Sequence, residues 1–317
     1  MEEKIKECVS VDEKPEDAID AMKKLTGDMS LTPIGLDDSF GFKCQQCGRC
    51  CMNRDDIILN PFDVYNGARY LGISCEDFMN QYTHVDLGHT SKIPMVLLKS
   101  GSNGFCPLLK FDVKDGGKFK CMIHPAKPGA CSNHPIGVAY SRNITTGEDQ
   151  TQYVKVQQCE NSVSDEMQLV RDWVKPYTDH QDEINVAHLI QHQVTNYFNP
   201  REFWIMTQIL RKLPHVLPTE EDSPTRDAGV ELLKSYMITT VGLGYCEYDI
   251  NKPFIPQAEE NMKALDEFYT RTKDLFDQIK PIVDKVAKEM ASDVLEFLKE
   301  RAEESEEVEG EDNNGDS

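Results

Sequence analysis

Eight cysteines with a regular spacing are the residues of this chain best suited to chemistry. Four of them lie in the stretch CQQCGRCC, which begins at position 44. The complete series is Cys44, Cys47, Cys50, Cys51, Cys106, Cys121, Cys131 and Cys159. Two residues between neighbouring thiols allow a tight turn to aim both sulfurs at one ion, with backbone N–H groups free to bond the sulfurs. This spacing favours metal ligation by the eight thiols.

Two features of this cysteine series resemble the cysteine motifs of ferredoxins. A third cysteine two residues after a CxxC pair offers three ligands from one loop, and Gly48 stands where that loop must turn sharply. Cys106 precedes a proline, which also occurs at a remote ferredoxin cysteine. The adjacent thiols of Cys50 and Cys51 reach one metal atom only with strain. One of these two is therefore expected to face a second site or to stay unligated.

Other uses of thiols fit the sequence less well. A disulfide framework is typical of small secreted domains, whereas this chain has 317 residues and its N-terminal stretch lacks an apolar signal region. A dithiol oxidoreductase needs a CxxC pair where a strand meets a helix, and the residues before Cys44 are a poor strand. Among metal centres, one [4Fe–4S] cluster, two clusters and two zinc ions all remain compatible with eight thiolates.

Composition and charge indicate which kinds of partner and which cellular compartment suit this chain. The net charge of −21 disfavours a nucleic-acid partner, since phosphate backbones require a basic face. No run of 18 uncharged apolar residues occurs, so we expect no membrane span. Because the charged N-terminal stretch lacks an apolar signal region, we expect a cytoplasmic protein. Thiols in that reducing compartment are kept for metals or catalysis more often than for disulfides.

Periodicity predicts a mainly α fold that includes an irregular, cysteine-rich metal-binding module with small β elements. The predicted parts are an N-terminal lead-in (1–39), the metal module (40–165), an α-helical region (166–301) and a disordered acidic tail (302–317). Within the module, helix-start signals occur at Asn60 and Ser74. Amphipathic helices are predicted over 164–175 and 181–198. The tail carries eight acidic residues and no Lys or Arg, which predicts disorder.

The cysteine motifs resemble those of the YkgJ-type CxxCxxCC family. The matching stretches are FKCQQCGRCC, GFCPLL, CMIHPAKPGAC and QQCEN, and together they contain all eight cysteines of the series. The family is described as a zinc- or iron-chelating domain and as Fe–S-cluster-containing. One departure is Lys127 before Pro128, where the family usually has Arg, so the cation is kept without the guanidinium fork. The resemblance covers roughly residues 40–165.

The resemblance implies that the eight cysteines hold an iron–sulfur cluster, most simply [4Fe–4S], with zinc as the alternative cofactor. Two functional classes follow. The first is an electron-transfer or partner-docking protein, whose helical region contacts an unidentified protein. The second is a protein-modifying enzyme, because flagellin lysine N-methylases carry a similar cysteine run. The sequence contains no strong catalytic acid, base or nucleophile, so whether the protein is an enzyme stays undecided.

Overall fold

The computed structural model describes residues 32–54, 56–114, 116–142, 149–156, 162–216 and 224–311. Helices of this described part are α1 (Pro61–Leu71), α2 (Cys75–Tyr82), α3 (Gly129–Asn133), α4 (Val170–Thr178), α5 (Gln181–His192), α6 (Pro200–Val216), α7 (Pro224–Val241) and α8 (Phe254–Glu311). Its strands are β1 (Thr32–Pro33), β2 (Ser39–Gly41), β3 (Ile58–Leu59), β4 (Thr83–Leu87), β5 (Pro94–Leu98), β6 (Leu109–Asp112), β7 (Lys118–Cys121), β8 (Ile136–Arg142), β9 (Asp149–Lys155) and β10 (Met167–Leu169). The mainly α fold with small β elements is thereby confirmed.

The strands form four small sheets. Their orders are β1-β9-β8, β10-β2, β3-β5-β4 and β6-β7. The pairs β1–β9, β10–β2, β3–β5, β6–β7 and β8–β9 are antiparallel. Sheets of two or three short strands gain little stability alone, so each depends on the side chains packed against it.

Helix α1 begins as the sequence predicts. The Asn60 side chain accepts a hydrogen bond from the backbone N–H of Asp63, and the Asp63 carboxylate accepts one from the backbone N–H of Asn60. This reciprocal pair satisfies two N–H groups that a helix start leaves without partners. Helix α2 is likewise capped by Ser74, which accepts from the N–H of Asp77.

The chain divides into two compact units. The first comprises the described residues up to Asp86, Met95–His188 and Tyr245–Ala258. One apolar cluster of this unit consists of Phe40, Phe42, Ile136, Val170 and Val174, with Trp173 packed against it. The rings of Phe40 and Phe42 meet the Trp173 ring edge-on, at centroid distances of 5.7 and 5.3 Å. This cluster joins β2 to α4.

The second unit comprises Leu87–Pro94, Leu189–Gly244 and the described residues from Glu259 onward. Its interior is aromatic: the rings of Phe198, Phe203, Tyr236, Tyr269 and Phe276 contact one another at 5–6 Å. The hydroxyls of Tyr269 and Thr240 lie 3.0 Å apart in a hydrogen bond. Such buried hydroxyls require a partner, which each supplies to the other.

Helix α8 continues to Glu311, so the first part of the tail predicted to be disordered is helical in the structure. Glutamate is a good helix former, and extending an existing helix avoids the cost of nucleating a new one. The rest of the predicted tail, 312–317, lies outside the described residues, as does most of the lead-in. No helix in the described ranges is long and apolar enough to cross a bilayer.

Candidate metal centre

The first cysteine run forms an open loop followed by one 3₁₀ turn. The turn spans Arg49–Cys51, and Gly48 precedes it with a φ of 76°, the left-handed conformation that glycine adopts at little cost. The N–H of Cys51 donates to the Gly48 carbonyl at 2.9 Å. Cys44 and Cys47, in the loop before the turn, are exposed, whereas Cys50 and Cys51 are half-buried.

Backbone pairing brings Cys106 to this run from more than 50 positions away. Met52 and Phe105 form an isolated antiparallel bridge, and the N–H of Cys106 donates to the Cys51 carbonyl at 2.9 Å. The two cysteines are therefore held by main-chain hydrogen bonds, independently of what their sulfurs bind.

The β6–β7 hairpin places Cys121 beside Cys106. Leu109 is the register partner of Cys121, and the Leu109 N–H donates to the Cys106 carbonyl at 3.0 Å. The same hairpin reaches the first loop, because the N–H of Phe119 donates to the Gln46 carbonyl at 2.9 Å. One hairpin thus connects three cysteine-bearing segments.

Cys131 lies in the short helix α3. The N–H of Cys131 donates to the Pro128 carbonyl at 2.9 Å. At the other end of α3, the Trp173 indole N–H donates to the Asn133 carbonyl at 3.0 Å. The helix is therefore anchored on α4 through the side chain of Trp173.

These four segments enclose one cavity of about 330 Å³ in the first unit. All seven described cysteines of the predicted series line it: Cys44, Cys47, Cys50, Cys51, Cys106, Cys121 and Cys131. The eighth, Cys159, lies outside the described residues. Within the described ranges, no three Cys, His, Asp or Glu side chains converge closely enough to hold one ion. The thiols share a cavity, but their sulfurs do not form a closed coordination shell.

Three cations and two histidines also line the cavity: Arg54, Lys120, Lys127, His124 and His134. Burial lowers the pKa of both histidines, and nearby Lys127 adds to this effect. They are therefore neutral at pH 7, the form that can donate one ring N–H to a sulfur. Lys127 and Arg54 can offset thiolate charge.

The Cys50 and Cys51 thiols hydrogen-bond at an Sγ–Sγ distance of 3.8 Å. This bond, together with the Lys127 and Arg54 charges, lowers the pKa of Cys50 to about 6 despite partial burial. The same bond, burial and the neighbouring thiols raise the pKa of Cys51. The pair can therefore share one proton, and the thiolate left in this way is the form that binds metals.

The thiols on the far side of the cavity differ from Cys50. Burial raises the pKa values of Cys106 and Cys121, and it raises the pKa of Cys131 to about 12. These groups carry protons at pH 7 unless a cation displaces them.

Comparison with known families adds a description of this segment. Residues 43–160 match the model of the CxxCxxCC family, which is described as a "putative zinc- or iron-chelating domain". This segment is similar to the CxxCxxCC domain. Neither curated proteins nor solved structures give a significant match to the chain.

The donor set of the CxxCxxCC domain fits a thiolate-bound metal. Sulfur is the ligand that zinc and iron–sulfur clusters share, and Lys127 stands beside the cavity where the family usually has arginine. Sequence reasoning missed Arg54 as a cavity residue, although its position three residues after Cys51 was a usable signal. It also missed Asp63 and Tyr177, which contact the helix that carries Cys131 and have no local signature.

Proposed function

We propose that the CxxCxxCC domain binds an iron–sulfur cluster, most simply [4Fe–4S], and serves electron transfer. The observation that carries this proposal is the convergence of seven thiols on one cavity from four separate segments. Candidate ligands are these seven and Cys159. When bound, a cluster would supply a one-electron redox centre.

The size of the cavity supports a group larger than one ion. A water-sized sphere needs about 10–15 Å³ of such space, so 330 Å³ is more than twenty times that amount. A zinc ion with thiolates at about 2.3 Å fills the centre of its own ligand shell and leaves no cavity there. The space is therefore better suited to a multi-atom cluster or to two ions.

Exposure of Cys44 and Cys47 supports a redox role. Ligands at the protein surface place a cluster near solvent, where a partner protein can approach it. The loop that carries them has no regular secondary structure, so it can close around a metal with little loss of internal hydrogen bonds. We expect metal binding to draw these two thiols toward the other five.

Zinc is the second candidate, and one distance favours it. Four thiolates at about 2.3 Å from a tetrahedral zinc lie about 3.8 Å from one another. The Cys50 and Cys51 sulfurs have this separation. A structural zinc centre would include this adjacent pair in one shell.

Purification without oxygen, followed by counting of iron, sulfide and zinc on the same sample, separates the two candidates. A cluster predicts broad visible absorption and about four irons and four sulfides per chain, or a multiple. One or two zinc ions in a colourless sample would replace the cluster proposal with the zinc centre.

Two cysteine variants test whether the counted metal is bound in the cavity. Cys106→Ser removes a thiol that lines the cavity, and it is expected to lose most of the metal. Cys246→Ser, the matched control, removes a half-buried thiol that is not among the cavity residues. Equal metal in both variants would contradict the proposed site.

A further inference from the structure

The carboxylate of Asp63 joins two helices that are distant in sequence. Its Oδ2 accepts the Asn60 N–H at 3.0 Å, completing the cap of α1. Its Oδ1 accepts two long-range bonds, from the Gly129 N–H at 3.1 Å and from the Tyr177 hydroxyl at 3.1 Å. Gly129 is the first residue of α3, and Cys131 lies two positions further on.

Helix capping alone does not account for this arrangement. A capping box uses the side chain to satisfy its own helix, normally at the surface. The Asp63 side chain is instead buried, with 4% of its surface exposed, which is costly for a carboxylate unless several donors compensate it. Two of the three donors that Asp63 receives come from outside α1. The buried carboxylate therefore accepts hydrogen bonds from α3 and α4 as well as from the start of its own helix.

The Tyr177 side chain closes this network. Its hydroxyl donates to Asp63 and accepts from the Asn60 side-chain amide at 2.9 Å. A Cβ on Gly129 would come within 2.6–2.8 Å of the Tyr177 ring, so only glycine fits at that place without a shift. The first turn of α3 is thus clamped between Asp63 and Tyr177.

No side chain of α3 itself performs this task. The residue before the helix is Pro128, whose side chain makes no capping hydrogen bond. The N-terminal N–H of α3 is therefore satisfied from α1, across 66 positions of sequence. Loss of Asp63 would leave that N–H buried without its acceptor.

We infer that Asp63 is the positioning residue for Cys131, holding this thiol at the cavity wall whether or not metal is bound. The inference rests on the proposed function in one respect only, namely that Cys131 is a ligand. Both long-range bonds end on Oδ1, an oxygen that asparagine would keep, whereas alanine offers no acceptor at all. Asp63→Ala should therefore release the start of α3, while Asp63→Asn loses only the acceptor of the Asn60 N–H.

The test measures how fast iodoacetamide alkylates each cysteine in the full-length protein as isolated, read peptide by peptide with mass spectrometry. Asp63→Ala is expected to raise the rate at Cys131 about tenfold, the effect of one lost buried hydrogen bond, whereas Asp63→Asn, which keeps the shared oxygen, is expected to raise it far less. The rates at Cys106 and Cys121 are expected to change far less. This readout does not need the identity of the metal, and the metal count of the wild-type protein tests the proposed function separately.

Two further variants separate positioning from other effects. Tyr177→Phe keeps the carboxylate charge and removes one of its donors, so a selective rise at Cys131 there cannot come from the lost charge of Asp63. Ser74→Ala removes the cap of α2 at a comparable cost and should leave the Cys131 rate unchanged. Equal acceleration at all three cysteines, or an unchanged Cys131 rate in both Asp63→Ala and Tyr177→Phe, would overturn the inference.

Discussion

The sulfur atoms of Cys50 and Cys51 lie 3.8 Å apart although the two residues are adjacent in the chain. Both residues lie in the 3₁₀ turn Arg49–Cys51, and their thiols form a hydrogen bond. A cluster binds each of its irons through one cysteine, whereas a single zinc accepts both. Whether one or both of these sulfurs bind the metal therefore distinguishes an iron–sulfur cluster from a zinc ion.

Substitution of each member of the pair is expected to have unequal effects. One of the two substitutions, Cys50→Ser or Cys51→Ser, should lose most of the iron and sulfide, and the other should retain most of both. The reason is that a [4Fe–4S] cluster binds each of its irons through one cysteine, so the second thiol of the adjacent pair is left over. The measurement is iron and sulfide per chain after anaerobic purification. Equal losses would indicate that both sulfurs bind one ion.

Metal affinity is expected to increase with pH. Burial raises the pKa values of Cys106, Cys121 and Cys131, so zinc must displace protons from them at pH 6–8. Release of two to three protons would raise the logarithm of affinity by about two to three per pH unit. Zinc titration against a competing chelator at pH 6, 7 and 8 measures this slope. A flat profile would exclude these three thiols as ligands.

Removal of the metal is expected to destabilise the first unit selectively. The cavity segments are joined by few strands and short helices, so metal bonds should supply much of their stability. Each kcal/mol lost should lower the melting midpoint by about 2–4 °C for a unit of this size. Hydrogen exchange after chelation should speed up over 44–54 and 105–133, while α6 and α7 keep their protection. Unchanged exchange throughout would argue against metal-dependent folding.

Gly129→Ala is expected to destabilise the protein by about 1–3 kcal/mol, because the added Cβ would overlap the Tyr177 ring. The matched control is Gly72→Ala at the end of α1, where a Cβ meets no atom within 4 Å. Its cost is limited to the left-handed backbone, about 1 kcal/mol. Urea unfolding of both variants gives the comparison. A Gly129→Ala cost no greater than that of Gly72→Ala would contradict the tight contact.

Asp63 is expected to make stability depend on pH in an unusual direction. Burial raises its pKa from 3.8 to about 6, although its hydrogen bonds oppose the shift. The folded protein therefore binds this proton more tightly than the unfolded chain, and the contribution is lost as pH rises through 6. The unfolding free energy of wild type minus that of Asp63→Asn should fall by about 2 kcal/mol between pH 4 and pH 7. Urea unfolding across that range measures it, and a rising difference would refute the assignment.

Local signals predicted the parts of the fold that depend on neighbouring residues. Asn60 and Ser74 cap the helices that the sequence assigns to them, because a cap is formed within four residues. The segment 164–175, which the sequence predicts to be one helix, has a different structure. Met167–Leu169 is a strand paired with Ser39–Gly41, and α4 begins only at Val170. A three-residue strand whose partner lies more than 120 positions away has no local signature.

In the candidate site, too, the sequence predicts what depends on neighbouring residues and misses what depends on distant ones. Spacing was sufficient to select the cysteines, and the seven described ones line one cavity. Spacing could not reveal Asp63 and Tyr177, because their bond joins residues 114 positions apart. Nor could it predict the proximity of Cys50 and Cys51, which depends on the backbone of a single turn.

The return of residues 245–258 to the first unit has a consequence for biosynthesis. The Tyr65 hydroxyl donates to the Lys252 carbonyl at 2.5 Å, and Phe254 packs on Phe62 and Tyr65 at 5.5 and 5.3 Å. On the ribosome, this face of α1 stays uncovered until 99 further residues have followed Cys159. At about 5–20 residues per second, that interval lasts roughly 5–20 s. The first unit is therefore completed only well after its cysteine run has been synthesised, and during that interval the apolar face of α1 stays open to other apolar surfaces.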